Sequence, residues 1–331
     1  MQIAIIGAGI SGLSCARILH DHGHAVHVFE KSRGPSGRAS TRKTDHWQAD
    51  HGAQYFTARS PAFQQAVNGW IDLGIASTWT GRIMAAENGR LSPSESVVRY
   101  VGTPTIPSIA RHLAQGLHLQ LQTTITEIRR ANDAWQLHSQ EHGWHEDAFD
   151  LVVFSIPAPQ LQPFVRHFSA DVIDVIEAVV FDPCLAIMMQ YPHPLDLGFD
   201  GLFANDAVVG WVSRNNSKPG RSGLESWVIH MTPGFSQTHW ESAAEFIQKA
   251  ADQFMQGHGA PACEQMTLHR WRYALSHRGG DSNRGVHHDS LVDAQHRLAF
   301  CGDWLSGGRI EGAWQSGQHA AQQILRVVAG R

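Results

Sequence analysis

The chain has 331 residues, 42% of them apolar and 17% charged, with a formal net charge of −4. That length exceeds what one hydrophobic core usually supports, so two domains are expected. Mild acidity and the lack of a basic block exclude a nucleic-acid or membrane-surface role of the electrostatic kind, and no run approaches the roughly 18 apolar residues of a membrane span.

The apolar start at residues 1–10 lacks a basic leader and runs straight into a glycine turn. It reads as a first strand kept in the mature protein. The four cysteines, Cys15, Cys184, Cys263 and Cys301, form no C-x-x-C pair. They predict reduced, mostly buried thiols and a cytoplasmic setting. His20, His22, His24 and His27 lack metal-ligand spacing, and no H-E-x-x-H or Cys/His cluster occurs, so no metal site is expected.

In chain order, 2–6 is a short apolar run fitting a buried parallel strand that ends at Gly7. Residues 10–22 have helical rhythm, with Gly23 as a stop, and 25–29 form a second strand reaching Glu30. This is a β-α-β unit. A Gly/Ser/Arg-rich loop at 32–44 follows, then a helix at 61–73, a hairpin at 79–92 turning at Asn88-Gly89, and a helix at 105–115. Short alternating segments at 118–122, 125–129, 135–140 and 151–155 predict a strand, a small antiparallel meander and a buried strand. The middle holds long strands at 184–191, 208–213 and 226–231 and one helix at 239–256. The polar stretch 277–296 reads as a loop, 298–301 as a strand, and 311–328 as a final helix.

Gly7-Ala8-Gly9-Ile10-Ser11-Gly12 is a G-x-G-x-x-G placed between a strand and a helix, with an acid at the end of the next strand. In that context Gly7 permits the turn, Gly9 lets a pyrophosphate approach the backbone, and Gly12 lets helix and strand pack closely. The helix N-terminus offers free N–H groups and a positive dipole end to phosphates. Glu30 is placed to accept from an adenosine ribose, and its charge disfavours a 2′-phosphate.

Two further motifs separate FAD from NAD. Ser36-Gly37-Arg38, shortly after the ribose acid, resembles the flavin-family extension, in which the arginine meets the pyrophosphate. Phe300-Cys301-Gly302-Asp303, followed by Gly307-Gly308-Arg309-Ile310-Glu311-Gly312, resembles the closing motif of FAD amine oxidases. Asp303 would hold the ribityl chain, and the last helix would direct N–H groups at the flavin pyrimidine. The closing turn, Ser306-Gly307-Gly308-Arg309, has no cysteine, so non-covalent FAD is expected. The predicted cofactor contacts are Gly7, Ala8, Gly9, Ser11, Gly12, Glu30, Lys31, Gly37, Arg38, Ala53, Gln54, Tyr55, Ile125, Gly302, Asp303, Arg309, Ile310, Gly312 and Ala313.

The run Asp50-His51-Gly52-Ala53-Gln54-Tyr55-Phe56-Thr57, with Trp227-Val228-Ile229-His230 and Arg270-Trp271-Arg272, resembles the renalase family and its bacterial members. The resemblance implies oxidation of 2- and 6-dihydro-NAD(P) to NAD(P)+, with electrons passing to FAD and then to O2 to give hydrogen peroxide. Such a hydride transfer needs positioning more than acid–base chemistry. Tyr55, His230, Trp304 and Glu311 are the expected residues near the reacting ring. Thr57, Arg59, Arg214, Arg270 and Arg272 are the expected substrate contacts. The predicted fold is α/β plus α+β: a Rossmann-like FAD-binding domain of the glutathione-reductase/amine-oxidase type at 1–60, 99–160 and 285–331, with a smaller antiparallel-sheet substrate domain at 61–98 and 161–284. The small-molecule partners are a dinucleotide and O2.

A flavin amine oxidase is the nearest alternative, and a non-catalytic flavin-binding protein the second. Amine oxidases generally place a lysine near flavin N5. Of Lys31, Lys43, Lys218 and Lys249, the first two lie in the cofactor loop, Lys218 in a Pro/Gly turn and Lys249 on an amphipathic helix, so none is read as that residue.

Overall fold

A computed structural model describes residues 1–87, 89–278 and 289–329 of the chain. It divides into two compact units, Met1–Arg38, Ile109–Val180 and Ser276–Arg331 forming the first, Ala39–Ser108 and Phe181–Leu275 the second. Residues 39–60 and 99–108, expected with the cofactor domain, pack in the second unit, and 161–180 and 276–278, expected with the substrate domain, pack in the first.

The first unit is built on a six-stranded sheet, ordered Leu291–Asp293, Leu298–Phe300, Leu151–Phe154, Gln2–Ile6, Ala25–Phe29 and His118–Gln120. Only the Leu291–Asp293 edge runs antiparallel to its neighbour. The central strands are buried on both faces, as continuous apolar runs such as Ile3-Ala4-Ile5-Ile6 and Leu151-Val152-Val153-Phe154 require. The helix Ile10–Asp21 follows the first strand and packs on the last helix, Arg309–Ala329. Gly317 makes this packing possible, because a Cβ there would run into the Ser11 carbonyl and stand 2.9 Å from Ser14 Cβ. A three-stranded meander, Ile125–Ala131, Ala134–Ser139 and Gly143–Phe149, completes the unit's strands. Its third strand was not anticipated, because Trp144-His145-Glu146-Asp147 shows no apolar alternation.

The second unit holds a seven-stranded sheet, ordered Gln265–Arg278, Val179–Tyr191, Glu225–Met231, Val209–Arg214, Gly201–Phe203, Ile83–Glu87 and Arg90–Pro93. One face is a continuous apolar layer, with Leu185, Ile187, Met189, Val212 and Ile229 under the helix Ala244–Gly257. The other face carries Ser213, Trp211 and His230, the last two being register partners across neighbouring strands. That alternation makes one side of the sheet a core, while the other mixes Ser213 and His230 with Met188 and Val228, which pack with Ala49.

Two expectations are corrected. The helix expected at 239–256 starts later, as Ala244–Gly257, and an unexpected short helix, Pro233–Thr238, precedes it. The short helix is entered from an extended N-cap residue, Thr232, whose side chain accepts from Phe235 N–H. The stretch 277–296 is not all loop. The strand Gln265–Arg278 runs into it and Leu291–Asp293 pairs with Leu298–Phe300, while 279–288 lie outside the described residues. The hairpin forms between Ile83–Glu87 and Arg90–Pro93, with Asn88 itself outside the described residues.

All four cysteines are free and buried. Among the described residues no metal-holding cluster occurs, and no helix is long and apolar enough to cross a membrane.

Candidate functional site

In the first unit the glycine loop joins the end of Gln2–Ile6 to the helix Ile10–Asp21. Gly7 has φ +106°, and a Cβ there would meet the Ser155 carbonyl carbon at 3.0 Å. A Cβ on Gly12 would collide with the Gly7 carbonyl, so this turn closes only without side chains. Around Gly9, by contrast, a Cβ would meet nothing within 4 Å. The helix begins at Gly9 with no side chain capping it and no acid in its first turn. An open space beside uncapped backbone N–H groups is the shape a diphosphate fills.

Glu30 is buried at the end of the Ala25–Phe29 strand. Its Oε2 accepts from Ala8 N–H at 2.8 Å and its Oε1 from Ser32 N–H at 2.8 Å. The carboxylate is thereby fixed against the loop, with lone pairs left for a ribose diol. Ser36 N–H donates to the Ala8 carbonyl at 2.9 Å, which folds the Gly37-Arg38 segment over Gly9. A Cβ on Gly37 would lie 3.6 Å from Gly9 Cα. Lys31 is exposed and reaches Gln160 at 3.4 Å.

The closing motif meets this loop inside the same unit. The Arg38 guanidinium pairs with the Asp303 carboxylate, joining positions 265 residues apart. Gly302 N–H donates to Ser316 Oγ at 2.9 Å, tying the strand end to the last helix. The turn is drawn tight by Gly308 N–H donating to the Asp303 carbonyl at 2.7 Å. Arg309 sits in the left-handed region at φ +68°, a conformation costing a non-glycine residue roughly 1 kcal/mol or more and often found at binding turns. Ile310, Glu311 and Gly312 are buried in the first turn of the helix, with Ala313 partly so. Trp304 is buried and donates to the Ile156 carbonyl at 3.2 Å, and Glu311 accepts from Gln315 at 3.5 Å. Ile125 is buried at the start of the meander. These residues fit a dinucleotide with a flavin end: a phosphate cradle, a ribose acid, and an arginine and an aspartate brought together beside them.

The second unit brings together Gln54 and His230 around a buried ionic centre. Asp50, Lys218 and Arg221 all have fully buried side chains. Asp50 Oδ2 lies 3.3 Å from Lys218 Nζ and 2.6 Å from Arg221 Nη2. Asp50 also accepts from Thr41 at 2.5 Å. Burial opposes its charge, but the two cations hold its pKa below the usual carboxylate range. Burial pulls Lys218 down to about 8, against the pull of Asp50. Lys218 donates to Gln54 Oε1 at 2.9 Å, and Ser213 Oγ donates to the same oxygen at 2.5 Å. The Gln54 amide is therefore fixed, its nitrogen turned to the Asp50 and Gly52 carbonyls.

His230 Nε2 lies 3.1 Å from the His51 carbonyl, which also accepts from Trp271 Nε1 at 2.9 Å. His51 stacks on Trp271 with centroids 5.3 Å apart and meets His269 at 4.7 Å. Burial lowers the pKa of His51, His230 and His269 to about 4 each, so all three are neutral at physiological pH. Tyr55 packs among Trp79 and Trp211, with Arg99 5.4 Å from its ring centre.

Ala53 and Thr57 flank this segment, both partly buried, and Arg59 is exposed. Arg214 is ion-paired to Glu225 at 2.7 Å and to Asp200 at 3.6 Å. Arg270 donates to the carbonyls of Trp240 and Ser242, and Arg272 lies over the Trp240 ring at 5.2 Å.

Lys218 is the residue that sequence reasoning passed over. A lysine in Asn215-Asn216-Ser217-Lys218-Pro219-Gly220-Arg221 looks like a solvated turn, yet it is sealed. The signal was its position, directly after a buried strand and beside Asn215, whose side chain accepts from Asp50 N–H at 3.1 Å.

The family model described as flavin containing amine oxidoreductase matches residues 98–325, and that of an NAD(P)-binding Rossmann-like domain matches residues 5–70. An L-amino-acid oxidase of Bothrops pauloensis is 26% identical over 150 residues, covering 42% of this chain and 29% of that protein. The chain thus matches under a third of that relative's length. Among solved structures, an Exiguobacterium chain described as a protoporphyrinogen oxidase aligns over 98% of both chains, with TM-score 0.77 and 13% identity. Putrescine oxidase bound to putrescine aligns over 98% of this chain and 99% of its own, with TM-score 0.75 and 13% identity. At such identities these likenesses concern the fold alone.

Proposed function

Because the chain belongs to the flavin-containing amine oxidoreductase family and is an FAD-dependent oxidoreductase, we propose that it oxidises dihydro-NAD(P) isomers, the 2- and 6-dihydro forms, to NAD(P)+, with O2 as final acceptor and hydrogen peroxide as product. FAD, when bound, would supply the hydride acceptor and the route for electrons to O2. The protein's part is to bind, orient and keep the donor ring dry.

The observation that supports this substrate is the charge at the heart of the second unit. One carboxylate, Asp50, is shared by two cations, Lys218 and Arg221, so the buried centre carries a net positive charge below about pH 8. Such a field repels an ammonium group and attracts a diphosphate. The neighbouring histidines are neutral and Asp50 is locked, which suits a reaction that removes hydride and no proton. We assign Arg59 to the substrate phosphates; Arg270 and Arg272 lie on the strand face opposite His269 and Trp271, held against Trp240 and Ser242, and take no part in it. Arg214 is engaged by Glu225 and Asp200, and its part is to hold that strand end.

A second reading is oxidation of an amine that bears a carboxylate. The same positive charge would draw that carboxylate, and the likeness to an L-amino-acid oxidase points the same way. Anaerobic mixing of the yellow protein with purified 2- and 6-dihydro-NAD, with putrescine-type diamines and with L-amino acids decides between them. Bleaching of the flavin by the dihydro isomers alone is expected. Bleaching by amines or amino acids alone overturns the dinucleotide reading, and bleaching by none favours a flavin-binding protein without turnover.

A further inference from the structure

Arg99 is a buried cation, 7% exposed, whose partners are all neutral. Its Nη1 donates to the Val97 carbonyl at 3.3 Å, and its Nη2 to Ser94 Oγ at 3.2 Å and to the Glu95 carbonyl at 3.5 Å. These are long bonds for a charged donor. Among the described residues no carboxylate pairs with it, and its Nε is buried with no acceptor at all. Buried charges in proteins are paired, because desolvating one without a partner is strongly unfavourable.

A second donor stands in the same place. Trp211 is 8% exposed, and its indole Nε1 is also buried without an acceptor. The two donors flank the same two rings. Arg99 Cζ lies 5.4 Å from the Tyr55 ring centre and 6.0 Å from that of Phe203. The Trp211 ring lies 5.5 Å and 4.6 Å from them, centre to centre. The backbone fixes this arrangement. Phe203 and Trp211 are register partners, and a Cβ at Gly201 would stand 2.8 Å from Trp211 Cη2, so glycine there leaves the indole its place. Phe56 and Tyr100, the neighbours of Tyr55 and Arg99, exchange both backbone hydrogen bonds at 2.8 Å, and Trp79 N–H donates to the Arg99 carbonyl at 2.8 Å. Every one of these residues belongs to the second unit. Two fixed N–H donors without acceptors, one of them cationic, call for a bound anion.

We propose that Arg99 and Trp211 form a binding site for a monocarboxylate with an apolar or aromatic body. One carboxylate oxygen takes the Arg99 Nε–H and the other the Trp211 Nε1–H, and the body lies against the partly exposed ring of Tyr55. The donor count disfavours a phosphate dianion, since two N–H groups would leave most of its oxygens dry against aromatic rings. The site takes no part in hydride transfer and stands whichever donor the flavin oxidises.

The test uses the FAD-loaded protein, 15N-labelled at tryptophan, with the Trp211 indole signal identified by its loss in Trp211→Phe. Phenylacetate is the probe, phenylacetamide its neutral counterpart and inorganic phosphate the competing anion. In calorimetric titration the wild type is expected to bind phenylacetate at least tenfold more tightly than the amide or phosphate, the size of a hydrogen bond to a charged group. The Trp211 indole proton is expected to move downfield as phenylacetate binds. Arg99→Gln is expected to lose roughly 10- to 100-fold in affinity for phenylacetate, and Trp211→Phe, which keeps a ring, about tenfold. Should Arg99→Gln fail to fold, the wild-type comparison and Trp211→Phe decide. No binding of phenylacetate, an unmoved indole signal, equal binding of acid and amide, or unchanged affinity in either variant overturns the site. Phosphate binding as tightly as phenylacetate overturns the carboxylate assignment. Because the indole and not the flavin is read, none of these results depends on which substrate bleaches the cofactor.

Discussion

Lys218 Nζ lies 3.3 Å from Asp50 Oδ2, with neither side chain exposed to solvent. Arg221 reaches the same oxygen from the other side at 2.6 Å. The two losses are therefore unequal. Asp50→Asn leaves two buried cations without a counter-ion and is expected to destabilise by about 3–5 kcal/mol. Lys218→Met leaves Asp50 still paired with Arg221 and should cost clearly less. Urea unfolding of the two variants checks this, and a larger loss for Lys218→Met would contradict it.

Alkaline pH should stabilise the fold over a defined window. Lys218 has a folded pKa near 8, below the 10.5 of a free lysine, because burial disfavours its charge. Between those values the unfolded chain binds a proton that the folded chain does not, so stability rises with pH from about 8 to 10.5. Below 8 both states are protonated and the slope vanishes. Urea midpoints across pH 7.5–10 should climb in the wild type and lie flatter in Lys218→Met.

Acid acts in the opposite sense through three rings. His51, His230 and His269 are each lowered to about 4 by burial, against an ordinary value of 6.5. From 6.5 down to 4 the unfolded chain takes up protons that the native state refuses, so stability falls as pH falls through that range. Unfolding midpoints at pH 7 and pH 5 should differ markedly. His269→Phe, which removes one of the three titrations and keeps an aromatic ring beside His51 and Trp271, should narrow the difference.

The cofactor cradle predicts its own weak point. Glu30→Ala leaves the Ala8 and Ser32 N–H groups without their acceptor and removes the ribose ligand. FAD affinity should drop by roughly 10- to 100-fold, the range for a charge-assisted hydrogen bond. Fluorescence titration of the apoprotein measures it. Glu30→Gln, which retains one acceptor, should fall between. Equal affinity in all three proteins would remove Glu30 from the cofactor site.

Legibility in the sequence followed distance along the chain. Gly7, Gly9, Gly12 and Glu30 are readable because a strand, a turn, a helix and a second strand lie within thirty residues and their spacing carries the geometry. The closing turn at Gly302–Asp303 is readable for the same reason. Lys218 was not, because its burial depends on Asp50, 168 residues away, and no local pattern signals that pairing. The strand Gln265–Arg278 was hidden in another way. It is a long edge strand of the seven-stranded sheet, rich in Arg270, Arg272 and other polar residues that an edge tolerates. With it went Trp271 and His269, and so the aromatic setting of His51.

The contact at Gly317 also bears on synthesis. The helix that would cradle the diphosphate rests against the Arg309–Ala329 helix with no room for one extra carbon between Gly317 and Ser11. A growing chain on the ribosome makes the glycine turn long before the surface that braces it, at Gly317, has emerged. The nascent protein should therefore stay colourless until residue 317 is free of the ribosome, and a quality-control protease would have that whole interval in which to act.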